Sequence, residues 1–229
     1  MKRISSLCIV LLFSVMAFAQ TDITKFLGIP IDGTKTQMIQ KLKAKGFVYS
    51  AIDDVLTGEF NGSNVELHVV TNNNKVYRIV VVEKLGIEES DVKIRFNTLC
   101  NQFIKNGKYA QQNPFDDYII GEDVDISYEM TVKNKRFEAS YFQVTEADMD
   151  TTGMGLWMKS KFRTKYGDNF VNNVSEEELF EVGIELTIKY LYEKISHKSV
   201  WFMISKHYLN YYIYIYYDNK NNMANGEDL

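Results

Sequence analysis

Val200-Trp201-Phe202-Met203-Ile204-Ser205, a short polar connection, and Tyr211-Tyr212-Ile213-Tyr214-Ile215-Tyr216-Tyr217 read as a β-hairpin. Both segments are dense in β-branched and aromatic residues, which favour a pleated, half-buried surface. Side chains alternate between the two faces of a strand. One face of the second strand therefore carries Tyr212, Tyr214 and Tyr216, and the other carries Tyr211, Ile213, Ile215 and Tyr217. Residues 208–217 hold six of the chain's 15 Tyr. A hairpin needs further strands or helices against it to be stable, and the rest of the chain supplies both.

Immediately before the hairpin, Ser175-Glu176-Glu177-Glu178 forms a capping box with acidic residues at the positive end of a helix. That helix is predicted to run to about Ile195. Its apolar residues occupy more than one face, which predicts a helix sandwiched between layers. Residues 155–166 read as a shorter helix stopped by Gly167. Further upstream, Val92, Phe96, Leu99, Cys100 and Phe103 form one stripe of a helix over residues 89–106. Thr34 and Gln37 open another helix, with Met38, Ile39 and Leu42 on its apolar face and Gly46 as its stop. Strands fit residues 65–70 and 76–82, separated by Thr71-Asn72-Asn73-Asn74-Lys75. Residues 123–132 and 136–144 also read as strands. The class is α+β.

Two stretches look repeated. Ile52-Asp53-Asp54-Val55-Leu56-Thr57-Gly58-Glu59 aligns with Phe115-Asp116-Asp117-Tyr118-Ile119-Ile120-Gly121-Glu122. A tandem helix-plus-antiparallel-meander unit is the economical reading. It divides the chain into a signal peptide (1–19), a first repeat (20–84), a second repeat (85–147), C-terminal helices with a β-hairpin (148–218) and a mobile polar tail (219–229).

The N-terminus carries the marks of export. Met1-Lys2-Arg3 is basic, an apolar stretch follows to Phe18, and Ala17-Phe18-Ala19 is a small-x-small cleavage site. Cleavage after Ala19 removes Cys8 and leaves Cys100 alone, so the mature chain has no internal disulfide. It also shifts the formal charge from −4 to −6. No second apolar run is long enough to span a membrane. An acidic chain lacks the basic face that nucleic-acid binding needs, and two cysteines cannot build a cysteine-rich zinc module. The expected location is the periplasm or the exterior.

Several strings carry a family resemblance. They are Phe26-Leu27-Gly28-Ile29-Pro30-Ile31-Asp32-Gly33, then Met38-Ile39-Gln40-Lys41-Leu42-Lys43-Ala44-Lys45-Gly46-Phe47, and Lys198-Ser199-Val200-Trp201-Phe202-Met203-Ile204-Ser205. Thr71-Asn72-Asn73-Asn74-Lys75-Val76-Tyr77-Arg78, Tyr217-Asp218-Asn219 and Ala224-Asn225-Gly226-Glu227-Asp228-Leu229 complete the set. Together they resemble an uncharacterised secreted protein family of Bacteroidetes-type gut bacteria, over nearly the whole mature chain. The resemblance implies export and brings no activity with it. More loosely, the helix-then-meander pattern is similar to the small modules of the β-lactamase-inhibitor-protein and outer-membrane-lipoprotein type. Those modules bind other proteins, and a likeness at the level of fold does not assign function.

Catalytic chemistry finds little support. No G-x-S-x-G elbow occurs. His68 falls on the outward face of its strand, His197 just past a helix end and His207 beside the hairpin turn. Cys100 lies in an apolar stripe and reads as a small core residue. The Asp53-Asp54 and Asp116-Asp117 pairs suit acid–base work on glycans, but Asp before a turn more often binds local backbone. Asp148-Met149-Asp150-Thr151-Thr152-Gly153 imitates the opening of a calcium loop, yet its twelfth position is Lys159 where a bidentate Glu is required. Asp150-Thr151-Thr152 also matches an O-glycosylation acceptor of exported Bacteroidetes proteins, and Asn61-Gly62-Ser63 and Asn173-Val174-Ser175 are N-glycosylation triplets.

These readings point to a secreted, non-enzymatic binding or interaction protein without cofactor or metal. Its candidate ligand-binding residues are Tyr212, Tyr214, Tyr216 and Trp201, and its expected partner is a protein or a glycan. The competing expectations are a carboxylate-dependent hydrolase of envelope or dietary polymers and a structural envelope subunit.

Overall fold

A computed structural model of the chain describes residues 22–224 and 226. The signal-peptide expectation, with Cys8, lies outside the described residues, as does most of the Ala224–Leu229 string.

The hairpin is the centre of an eight-stranded antiparallel sheet. Its strands are β3 (Val48–Ser50), β4 (Val55–Phe60), β5 (Ser63–Asn72), β6 (Lys75–Glu83), β7 (Tyr109–Gln111), β8 (Glu138–Gln143), β9 (Lys198–His207) and β10 (Asn210–Asn219). Their order is β3-β4-β5-β6-β10-β9-β8-β7. Two four-stranded meanders thus join through the antiparallel β6–β10 pair, in which Tyr216 faces Val80 and Tyr214 faces Val82. A small ribbon, β1 (Lys25–Phe26) with β2 (Ile29–Pro30), precedes the sheet.

One face of the sheet is covered by two helices. Helix α1 (Lys35–Lys43) has the expected capping box: Thr34 Oγ1 accepts from the Gln37 amide and the Gln37 side chain accepts from the Thr34 amide. It buries Met38, Ile39 and Leu42 against β5 and β6. Helix α2 (Glu89–Lys105) buries Val92, Phe96, Leu99, Cys100 and Phe103 against β9 and β10. From β10 this core takes Tyr211, Ile213, Ile215 and Tyr217, the face that alternation assigned inward. Each such aliphatic or aromatic side chain contributes about 1.5–3 kcal/mol by leaving water.

Four expectations need correction. Residues 126–131 are a helix, α3 (Ile126–Thr131), not part of a strand. Asp125 caps it by accepting from the Tyr128 amide at 2.7 Å, and Glu89 Oε1 accepts from the Ile126 amide at 2.7 Å. Those two anchors override an alternating apolar pattern. The Asp-Asp turns also differ in setting. Asp53-Asp54 leads directly into β4, whereas residues 115–122 lead into no strand. The long C-terminal helix is the third case. After β8 the chain makes a helical arm: α4 (Thr151–Tyr166), the short α5 (Phe170–Asn173) and α6 (Glu176–Ile195). α6 packs on α4, through Trp157 against Tyr190 with centroids 5.3 Å apart, rather than between layers. The hairpin core is covered by α2 instead. Finally, the expected mobile tail begins ordered. Asn219 is buried and donates to the Ile31 carbonyl at 2.8 Å, and Asn222 donates to Asp32 and to the Val76 carbonyl.

The arm is fastened at its base by a buried cation. Lys198 Nζ donates to Asp148 Oδ2 at 2.6 Å and to Asp22 Oδ1 at 2.7 Å, and Lys198 is fully buried.

Candidate functional site

The hairpin's second face is the outer face of the sheet. Register places Trp201 of β9 beside Tyr216 and Met203 beside Tyr214. On the other flank stand Val80 and Val82 of β6. Trp201, Tyr212, Tyr214 and Tyr216 are all half-buried. The four predicted residues therefore share one face, and they are neither core nor freely exposed.

Their exposure is limited because the rings cover one another. Trp201 and Tyr216 stack with centroids 3.9 Å apart and planes 10° from parallel. Tyr214 lies 6.4 Å beyond Tyr216 at 21°. The Arg78 guanidinium sits 5.1 Å from the Tyr216 ring centre and 5.7 Å from that of Trp201, within cation–π range. Arg78 is itself fixed by a two-pronged ion pair with Asp218, at 2.5 Å from Nε and 2.8 Å from Nη2. Asp218 is buried, also accepts from Trp201 Nε1 at 3.0 Å, and uses its backbone carbonyl to accept from the Thr24 hydroxyl. That hydrogen bonding favours the charged guanidinium and raises its pKa. Burial raises the pKa of the Tyr216 hydroxyl. The facing surfaces of the Trp201 and Tyr216 rings are thus consumed by each other and by Arg78. Tyr212 is held differently: it lies over Gly86, where a Cβ would fall 2.8 Å from its ring.

The face continues into the arm. Phe142 has the same parity on β8 as Ser140 beside Trp201. Its ring meets Tyr192 of α6 edge-on at 5.6 Å. Tyr192 ends a ridge at i, i+4 spacing, Phe180-Ile184-Ile188-Tyr192, exposed by 69%, 48%, 56% and 49%. Large apolar patches left in water mark interaction surfaces. This ridge was hidden in a sequence pattern read as a helix buried on several sides.

The sheet's other face holds a feature that sequence reasoning missed. A groove of about 1340 Å³ opens between the C-terminal end of α2, the β1–β2 turn and the β4–β5 turn. No string in the sequence marks it, because its walls come from segments far apart in the chain.

The remaining candidates serve local structure. Asp54 accepts from Lys35 and from the Tyr49 hydroxyl, and Asp53 from the Ser50 hydroxyl. Lys35 is the largest influence lowering the Asp54 pKa. Asp116 accepts from Asn113 at 2.7 Å and Asp117 from the Ile119 amide at 2.9 Å. In the calcium-like loop, Asp150 caps α4 through the Gly153 amide, and Asp148 is spent on Thr145 and Lys198. Among the described residues no cluster of His, Cys, Asp or Glu could hold a metal ion. Cys100 is buried, and desolvation pushes its thiol pKa up to about 12. His207 is exposed beside the hairpin turn and His197 contacts the Asp22 carbonyl. Among the described residues no helix is long and apolar enough to cross a membrane.

Comparison with protein-family models, with curated proteins and with solved structures returned no match.

Proposed function

We propose that this is an exported, non-enzymatic binding protein whose partner is another protein, held on the outer sheet face around Trp201, Tyr212, Tyr214 and Tyr216. The observation that carries the reading is the Trp201–Tyr216 stack, fixed from the side by Arg78 and Asp218 on the same sheet face. A surface ordered before binding loses little conformational entropy when a partner arrives. With the faces of Trp201 and Tyr216 occupied by each other and by Arg78, little remains for the flat stacking a sugar ring requires, which favours a protein partner. The adjoining exposed ridge from Phe180 to Tyr192 extends the apolar surface beyond these four residues. Export rests on the basic start, apolar stretch and Ala17-Phe18-Ala19 of the sequence.

A pull-down from envelope extract tests this, run with the wild-type chain and with a Tyr214→Ala/Met203→Glu variant. The expected result is a protein recovered by the wild type and lost with the variant. Equal recovery with both, or capture of a glycan on an array by the same face, counts against it.

A further inference from the structure

The groove on the opposite face has a floor and a rim of different chemistry. Its accessible apolar wall is made by Leu27 of the β1–β2 turn, Phe60 of β4, Tyr109 of β7 and Met149, above a floor of Leu99, Phe103, Ile215 and Tyr217 that belongs to the buried core. Burial raises the pKa of the Tyr217 hydroxyl well above its ordinary value, and that of Tyr109 beside it, so both phenols stay neutral at physiological pH. Every charge is on the rim: Lys25, Lys105 and Lys108 against Glu59 and Glu146. That is a local excess of one positive charge on a chain whose formal charge is −4. Among the described residues, none of the three lysines has a carboxylate within ion-pair distance. Lys105 and Lys108 stand on either side of Gly107, where α2 gives way to β7.

We infer that this groove binds an amphiphile with a hydrocarbon body and a single anionic head, the body lying along Leu27, Phe60 and Met149 and the head reaching Lys105 and Lys108. The volume, about 1340 Å³, exceeds the several hundred Å³ usual for small-ligand sites and accommodates a long chain. Each buried methylene of such a chain contributes about 0.8 kcal/mol, which makes chain length the main source of affinity. The lysines select the sign of the head. Glu59 and Glu146 penalise a second negative charge, so a carboxylate is preferred to a polyanion. The site is separate from the outer face, on the other side of the same strand.

The test is a fluorescence titration of the full mature chain with a dansyl-labelled undecanoate, followed by displacement with decanoate, decanol and decyltrimethylammonium. Saturable binding with a blue-shifted dansyl emission is expected, with decanoate the strongest competitor and decyltrimethylammonium the weakest. The exposed pair Lys105→Glu/Lys108→Glu should weaken decanoate about tenfold and leave decanol unchanged, as expected for charge-assisted contacts. Tyr214→Ala/Met203→Glu on the outer face should leave all three unchanged, so this site and the protein-binding face stand or fall separately. Circular dichroism establishes that each variant is folded. No saturable signal overturns the inference. So does equal competition by the cationic amphiphile, or an unchanged decanoate affinity in the double-lysine variant.

Discussion

The indole of Trp201 lies face to face on the phenol ring of Tyr216, 3.9 Å between centroids, while its Nε1 donates to the buried Asp218 carboxylate at 3.0 Å. Packing and polarity are thus joined in one side chain. Trp201→Phe should keep most of the stack and lose the hydrogen bond, at about 1 kcal/mol. Trp201→Ala should lose both, on the order of 2–3 kcal/mol. Urea unfolding of the two variants separates the terms; equal losses would show that the hydrogen bond carries them both.

Lys198 and its two carboxylates hold the helical arm to the sheet. Removing the cation in Lys198→Met leaves Asp148 buried without its counter-charge, at about 3–5 kcal/mol. Burial pushes the Asp148 pKa upward, but hydrogen bonds from Lys198 and Thr145 outweigh it and leave the group below its usual value. A depressed carboxyl pKa stabilises the fold above the unfolded value, near 3.9, and that contribution fades as pH falls through the lower folded value. Asp148→Asn should therefore flatten the acid limb of a urea-midpoint profile below about pH 4. An acid limb identical to wild type would refute the assignment.

Gly86 lets the β6–α2 connection pass closely over the hairpin. A Cβ there would lie 2.6 Å from Asn210 Cβ and 2.8 Å from the Tyr212 ring. Gly86→Ala should cost about 1–3 kcal/mol through overpacking. It should also shift the Tyr212 ring signals in an NMR spectrum while leaving those of Tyr216 in place. A variant of wild-type thermal midpoint would show that the loop has room to yield.

Tyr141 is fully buried, and its hydroxyl has no well-formed hydrogen bond among the described residues; its neighbour is the Cys100 thiol. An unsatisfied buried hydroxyl costs stability, so Tyr141→Phe should be neutral or stabilising by up to about 1 kcal/mol. With desolvation raising the Cys100 pKa to about 12, the native thiol should resist a thiolate-specific reagent at pH 8 and react once the chain unfolds. Rapid labelling of the folded protein would contradict this burial.

Much of the architecture was legible locally. The Thr34–Gln37 capping box, the Ser175 cap, the stripe from Val92 to Phe103 and the two strands of the hairpin are written in residues a few positions apart. Alternation also placed Tyr212, Tyr214 and Tyr216 together. It failed at residues 126–131, where Ile126, Tyr128 and Met130 alternate as a strand would. The deciding bond, from the Ile126 amide to Glu89, crosses 37 positions of sequence. It failed again on α6, whose several apolar faces read as burial. It packs along one side on α4 and at its C-terminal end on β8 and residues 146–149, and Phe180, Ile184 and Ile188 stay in water.

By itself, then, the sequence determined an α+β chain, its principal helices and strands, and a tyrosine row on one side of a hairpin. Caps, turns and side-chain periodicity act over a few residues and need no knowledge of distant neighbours. Tertiary structure decided how much of that row meets solvent, because exposure depends on Trp201, Arg78 and Asp218, brought to Tyr216 from different strands or strand positions. It alone decided the groove, whose walls meet only when the β1–β2 turn, the β4–β5 turn and the end of α2 converge over β10.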